Sequence, residues 1–194
     1  MATWTVVTDW LSTWGVIKAS GLTAYMLMFV SVVLGAFSYG AVIPPDVKKI
    51  LLPIHQTTGW FGFLFGLLHG AALMIDGYRP FLPGEVLVPF ASGFHPVTLG
   101  LGTLAFYIMA AIVISSDIMR KLGRKIWKSV HMLSYPMFLF LLVHGAVDGS
   151  DADKPWAFLM YACSAVIFAE ALLIRMYVQW KKKGGQIEGL ARGR

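Results

Sequence analysis

Four of the five histidines fall in two apolar stretches of the chain. His55 and His69 are 14 residues apart, which is about 21 Å of helical rise, and 14 steps of about 100° bring both rings to nearly the same helix face. His131 and His144 are 13 residues apart, about 20 Å by the same rise. Because ionisable side chains are costly at membrane depth, two such pairs predict a functional site.

Glycines accompany the first pair of histidines. Gly59, Gly62 and Gly66 lie 4, 7 and 11 residues after His55. Small residues on one helix face allow close helix packing, but glycine beside a histidine at both ends favours flat, bulky groups that approach the backbone. Haem is such a group, and imidazole is one of its axial ligands.

The heights of the four histidines predict two pairs. His55 matches His131 near one membrane surface, and His69 matches His144 near the other. Thirteen steps of about 100° leave the rings of His131 and His144 about 140° apart around their helix. The pairing therefore needs helix tilt or a distortion, for which Pro136 is the candidate. Two six-coordinate haems stacked in this way would conduct electrons through a membrane.

The composition is that of a small membrane protein. Of 194 residues, 57% are hydrophobic and 13% are charged, against about 25% charged in soluble domains, and the mean hydropathy is +0.68. We therefore predict an all-α integral membrane bundle of five transmembrane helices and exclude soluble enzymes and disordered chains. The predicted spans are 21–43, 54–75, 96–116, 129–147 and 156–179. The single Cys163 excludes an internal disulfide and a cysteine metal cluster.

The first seventeen residues predict a short amphipathic helix at the membrane surface. Trp4, Val7, Leu11 and Trp14 recur at helical spacing with polar residues between them. No lysine or arginine precedes Lys18, so we do not expect a signal peptide. The predicted organisation is an interfacial segment at 1–17, a bis-haem transmembrane domain at 18–180 and a basic cytoplasmic tail at 181–194.

The basic residues predict the orientation of the chain. Two lie at 48–49, five between Arg120 and Lys128, and six from Arg175 onward, whereas the opposite side holds Lys18, Arg79 and Lys154. The positive-inside rule then places the C-terminus in the cytoplasm and the N-terminus outside. The net charge of +6 is accounted for by this pattern, so we expect no nucleic-acid partner.

The histidine pattern resembles that of the ferric-reductase-like transmembrane domain, which is shared by ferric reductases, NADPH oxidases and the haem subunit of the bacterial methionine-sulfoxide reductase system. The similarity lies in H-x13-H on one helix and H-x12-H two helices later. The segment MRKLGRKIWKSVHMLSY is similar to the basic loop and helix start of the methionine-sulfoxide group, and FHPVTLG is similar as well. The resemblance covers residues 18–180. Members commonly have six helices, and this chain looks short of the first one.

The resemblance implies two b-type haems, with His55, His131, His69 and His144 as the iron ligands. It implies electron transfer from a cytoplasmic donor to an outside acceptor, such as ferric iron, oxygen or a partner reductase, in the plasma or inner membrane. After Tyr177 only 17 residues follow, without a GxGxxG motif. We therefore expect an oxidoreductase component whose donor is a separate flavoprotein or a membrane quinol. The basic loop that begins at Arg120 is either its docking surface or a topology signal.

Three further residues are weaker candidates. His95 and Arg79 lie in an outer loop and would suit a ferric ligand or a haem propionate, although a solvated loop histidine explains His95 better. Glu170 lies inside the fifth span, where a carboxylate would suit quinone or proton chemistry.

Two other functions remain open from the sequence. One is a transporter or channel in which the same histidines bind a transition metal, with only Glu170 and Cys163 as further ligands at similar depth. The other is a passive haem-bearing anchor for a soluble partner.

Overall fold

The computed structural model describes residues 12–38, 43–77 and 80–192 of the chain, and these are arranged as α-helices joined by short loops. The helices are α1 (Thr13–Phe37), α2 (Pro45–Met74), α3 (Pro83–Leu87), α4 (Pro96–Asp117), α5 (Met119–Leu122), α6 (Arg124–His131), α7 (Ser134–Asp148) and α8 (Pro155–Arg192).

Among the described residues, five spans are long and apolar enough to cross a membrane: α1, α2, α4, the consecutive pair α6–α7, and the first part of α8 as far as Lys182. The predicted five-helix all-α membrane bundle is therefore confirmed. Three spans begin several residues earlier than the apolar stretches suggested, and the fourth span is one of them, since it begins at Arg124 instead of residue 129. α1 begins at Thr13, where the Ser12 side chain accepts a hydrogen bond from the Gly15 amide at 3.1 Å, and α2 begins at Pro45, a favoured first helical residue.

The predicted interfacial segment falls largely outside the described residues, which begin at Ser12. Trp4, Val7 and Leu11 belong to that undescribed part. Trp14 is the exception, and it lies in the first turn of α1, where it is exposed.

The fourth span is interrupted at Met132 and Leu133, between α6 and α7. Pro136 explains the position of the break, because proline has no amide hydrogen for the carbonyl four residues earlier and its ring clashes with that carbonyl. The regular bonding resumes with the Met137 amide, which donates to the Leu133 carbonyl at 3.0 Å. This distortion is the one that the mismatched phases of His131 and His144 required.

The core lies where α1, α4, α7 and α8 meet. Phe138 is completely buried, and its ring lies 5.7 Å from Tyr25, 5.9 Å from Phe29 and 4.8 Å from Phe168 between centroids. Most large apolar side chains on the outer faces are exposed, as expected where the surroundings are lipid. The helix α2 packs extensively against α1 but little against the other spans.

We expect Phe138→Ala to lower the free energy of unfolding by about 3 kcal/mol, the low end for a buried aromatic residue, because the unfolded chain in lipid or detergent remains in apolar surroundings. Leu139→Ala is the matched control, since its side chain is 46% exposed on the lipid face. Thermal unfolding in detergent, followed by circular dichroism, measures both. Equal shifts of the midpoint for the two variants would contradict this assignment of the core.

Candidate functional site

The structure brings the four intramembrane histidines together as two pairs between α2 and the fourth span. The rings of His55 and His131 have centroids 5.9 Å apart and an interplanar angle of 70°. The rings of His69 and His144 have centroids 6.4 Å apart and an angle of 72°. We name the first the inner pair and the second the outer pair, after the sides that the charge distribution predicts.

Both separations leave room for one metal atom between the two rings of a pair. A first-row metal binds an imidazole nitrogen at about 2.0 Å, and that nitrogen lies about 1.1 Å from the ring centre, so two rings on opposite sides of one metal have centres about 6.2 Å apart. The observed centroid distances of 5.9 and 6.4 Å lie on either side of this value. Each pair therefore has the spacing of a bis-imidazole metal site.

Three of the four rings are held by main-chain carbonyls of neighbouring helices. The distances from Nδ1 to the carbonyl oxygen are 2.8 Å for His55 (Ser31), 2.9 Å for His69 (Ile17) and 3.1 Å for His144 (Thr98). A ring that donates its Nδ1 hydrogen keeps Nε2 unprotonated and able to bind a metal. This is the usual arrangement of metal-ligating histidines.

The fourth ring, that of His131, is held by packing. Its Nδ1 is buried and has no hydrogen-bond partner in the described part of the chain. The ring lies against Trp127, with centroids 5.0 Å apart, and the Trp127 indole donates a hydrogen bond to the Ser116 hydroxyl at 3.2 Å. The inner pair is therefore less fully constrained than the outer pair.

Glycines on neighbouring helices make room for three of the rings. A Cβ atom would lie 3.0 Å from His55 at Gly35, 2.8 Å from His69 at Gly21 and 2.9 Å from His144 at Gly102. The approaches at Gly21 and Gly102 are too close for a side chain, and the one at Gly35 is tight, so glycine lets each ring pack directly against a helix backbone.

These glycines were not predicted from the sequence, although a signal for two of them exists. Gly21 and Gly35 are 14 residues apart, the same separation as His55 and His69. Since α1 and α2 are antiparallel neighbours, equal spacing places one glycine opposite each histidine.

The three glycines that the sequence singled out face other helices. Cβ atoms at Gly59 and Gly62 would lie 3.2 Å from the Ser31 hydroxyl and 2.5 Å from the Met28 sulfur. These two glycines therefore make room for α1, and their expected role beside a bound group stays a prediction. Gly66 faces α4, where its Cβ would lie 3.0 Å from a methionine methyl group, and it also lines the cavity at the outer pair.

A cavity of about 1050 Å³ adjoins the outer pair, in the upper range for ligand sites. It is bounded by α1, α2, α4, α7 and the start of α8, and His69 and His144 both line it. At its wall the Lys18 ammonium pairs with the Asp151 carboxylate at 2.8 Å. The cavity is apolar over most of its surface, and its lining carries this half-buried ion pair together with the Asp148 carboxylate.

The helix α2 leaves much of its surface unpacked. Of its thirty residues only Gly62 and Ala72 are buried, although it carries one histidine of each pair. At the outer pair, the cavity lined by His69 and His144 lies along this helix.

His95 and Asp148 extend the outer pair towards the surface. His95 Nδ1 lies 2.8 Å from Asp148 Oδ1, and Asp148 Oδ2 lies 3.5 Å from His144 Nδ1. The sequence predicted His95 as a weak candidate but missed Asp148, whose signal was its position four residues after His144.

The remaining candidates do not join either pair. Glu170 is exposed on the outward face of α8, whereas Phe168 and Ala171 on the inward face are buried. Arg79 lies outside the described residues.

Arg175, which the sequence treated only as a topology signal, lies near the inner pair. Its guanidinium lies 3.1 Å from the Met132 sulfur and 5.2 Å from the centre of the Tyr135 ring. Both neighbours belong to the segment that immediately follows His131, so this arginine places a positive charge beside the inner pair.

Comparison with known families gives one match. The family model described as ferric reductase like transmembrane component matches residues 20–142, a stretch that includes His55, His69 and His131. No curated protein and no solved structure matches the chain.

Proposed function

We propose that this chain, which belongs to the ferric reductase-like transmembrane component family, carries electrons across a membrane through two b-type haems. The inner pair, His55 and His131, would hold one haem, and the outer pair, His69 and His144, would hold the other. The observation that carries the proposal is the spacing of the facing rings, 5.9 and 6.4 Å between centroids, at two depths of the same bundle.

The donor set fits haem better than a bare metal ion. Haem brings four nitrogen ligands of its own and takes its two axial ligands from the protein, so two imidazoles complete the site. In the described ranges no group of three or more histidine, cysteine, aspartate or glutamate side chains could hold a metal ion. Cys163 and Glu170, the further ligands that a transporter would need, are both exposed on α8.

The protein residues have three tasks in this function. The histidines bind and orient, since the carbonyls that accept from Nδ1 fix each ring. The apolar side chains between the two pairs, including Tyr25, Met28, Met109 and Phe138, keep water from the middle of the bundle. The helices hold the two sites about 20 Å apart along the membrane normal. When bound, each haem supplies a one-electron carrier.

One cation lies near each pair, and Lys18 is at the same time paired with Asp151. Lys18 lines the outer cavity, and Arg175 lies close to the inner pair through Met132 and Tyr135. A haem propionate in a largely apolar site needs such a partner, so one cation near each pair supports the assignment of two haems.

The donor would approach the side that carries the basic residues. Helices α5 and α6 expose several of them, namely Arg120, Lys121, Arg124, Lys125 and Lys128. Trp127 lies in the same segment, against the ring of His131. A cytoplasmic flavoprotein docked here would reach the inner pair, whereas a membrane quinol would approach from the lipid. The acceptor outside would be ferric iron, oxygen or a partner reductase.

Electron transfer across a sealed membrane tests the function directly. In vesicles that contain the haem-loaded protein and trapped ferricyanide, external dithionite should reduce the trapped ferricyanide at least tenfold faster than in vesicles containing His69→Ala. A passive haem-bearing anchor would show equal rates. A metal transporter would instead carry Zn²⁺ or Fe²⁺ into vesicles when no haem is present.

Single histidine variants test the pairing. We expect His69→Ala to remove mainly the outer haem and His55→Ala mainly the inner one, because each haem would lose one of its two axial ligands. Haem content and the redox titration of each purified variant measure this. His95→Ala is the matched control and should keep both haems. Equal loss of both haems from each variant would contradict the pairing.

A cysteine accessibility experiment tests the orientation. In a Cys163→Ser background, a cysteine at Asp151 should react with a membrane-impermeant maleimide added to intact cells, because the loop between α7 and α8 is predicted to face outside. A cysteine at Lys125 is the control and should react only after the cells are permeabilised. The reverse pattern would overturn the orientation.

A further inference from the structure

The outer pair has a carboxylate neighbour that the inner pair lacks. Asp148 is one helical turn after His144, and its side chain is only 6% exposed. Its Oδ2 atom is buried, has no partner that meets hydrogen-bond geometry in the described part of the chain, and lies 3.5 Å from His144 Nδ1. The ring nitrogen therefore has two acceptors within reach, this carboxylate and the Thr98 carbonyl at 3.1 Å.

The other oxygen of Asp148 is held by a surface histidine. His95 Nδ1 lies 2.8 Å from Asp148 Oδ1, and the His95 side chain is 52% exposed. The backbone of His95 has a φ of +42°, in the left-handed region that residues with side chains seldom adopt. Its ring is also stacked on Phe94, with centroids 4.1 Å apart. An unusual backbone and a stacked ring together hold this histidine over Asp148.

A carboxylate that accepts from the second nitrogen of a metal-bound imidazole changes the metal. It orients the ring, increases the basicity of the ligating nitrogen and so favours the more positively charged state of the metal. Such partners matter most when they are buried, because water does not compete for the hydrogen bond.

We propose that Asp148 is a positioning residue that orients His144 and lowers the reduction potential of the outer haem, and that His95 limits this effect by holding the second carboxylate oxygen. The proposal rests on the proposed function, since it requires a haem between His69 and His144. The effect is confined to the outer haem, because His131 Nδ1 has no acceptor in the described residues and lies about 20 Å away along the span.

The test is a redox titration of the haem-loaded protein and of Asp148→Asn, followed by absorbance. Asparagine keeps the size of the side chain and removes its charge. We expect the equilibrium constant for reduction of the outer haem to rise about tenfold, which is about 59 mV for a one-electron couple, with the inner haem unchanged.

Asp153→Asn is the matched control for loss of a negative charge on the same side of the membrane. The Lys154 ammonium, 3.0 Å away, holds the pKa of the Asp153 carboxyl below its ordinary value by hydrogen bonding. Asp153 is therefore ionised, but its side chain is 70% exposed, and its replacement should change the equilibrium less than about twofold because solvent screens the charge. Equal shifts for the two variants would show a long-range charge effect and overturn the role of Asp148.

His95→Ala tests the second half of the proposal. Without the His95 donor at Oδ1, the Asp148 carboxylate should accept a stronger hydrogen bond from His144. The outer haem should then become harder to reduce, and this shift in potential is opposite in sign to that of Asp148→Asn. An unchanged potential, or a shift in the same direction as Asp148→Asn, would overturn the role of His95. If Asp148→Asn loses the outer haem, His95→Ala carries the test, because it leaves Asp148 in place.

Absence of haem from the unmodified protein would contradict the proposed function itself. Two haems in the unmodified protein, with an outer potential that Asp148→Asn does not move, would overturn only the role of Asp148. The two failures are therefore distinguishable.

Discussion

The structure depends on one constraint: two pairs of imidazole rings must face each other, at two depths, inside an apolar bundle. Lipid offers no hydrogen-bond partner to a histidine ring, so the nitrogens of each ring must find their partners within the protein. The chain meets this requirement for three rings through carbonyls of neighbouring helices, as with His69 and the Ile17 carbonyl. The helices must approach closely for this, and glycine permits it, as Gly21 does against the His69 ring. The histidines thus explain both the glycines and the tight contact between α1 and α2.

The same constraint accounts for the irregular fourth span. A regular helix would point His131 and His144 in directions about 140° apart, yet both must face α2. The break at Met132 and Leu133 separates the span into two helices that each direct one histidine inward. Proline at 136 provides this break at low cost, because a transmembrane helix tolerates proline where neighbouring groups satisfy the freed carbonyl. The cavity at the outer pair completes the arrangement, since it leaves space beside His69 and His144.

Much of this was predictable from the sequence, and the failures have physical reasons. Apolar length predicted the five spans, and helical rise within each span predicted the two histidine pairs, because rise depends only on residue number. Neither could say which helix lies opposite, so the contact of Gly59 and Gly62 with α1 was not predictable. Gly102 was missed because it lies on a helix without a histidine of its own. The contact between His144 and Asp148 was predictable from their spacing of four residues. The burial of the Asp148 side chain, which is 6% exposed, was not, because it depends on the packing of other elements.

The account as a whole depends on haem at both pairs, and one measurement tests this most directly. The purified protein, expressed with ample haem, is assayed for haem per chain as the pyridine haemochrome, and its absorbance is recorded oxidised and dithionite-reduced. The account predicts two b-type haems per chain, both low-spin, because each iron would have two imidazole ligands. A chain without haem would contradict the central claim. A single haem per chain would contradict the claim that both pairs hold a haem.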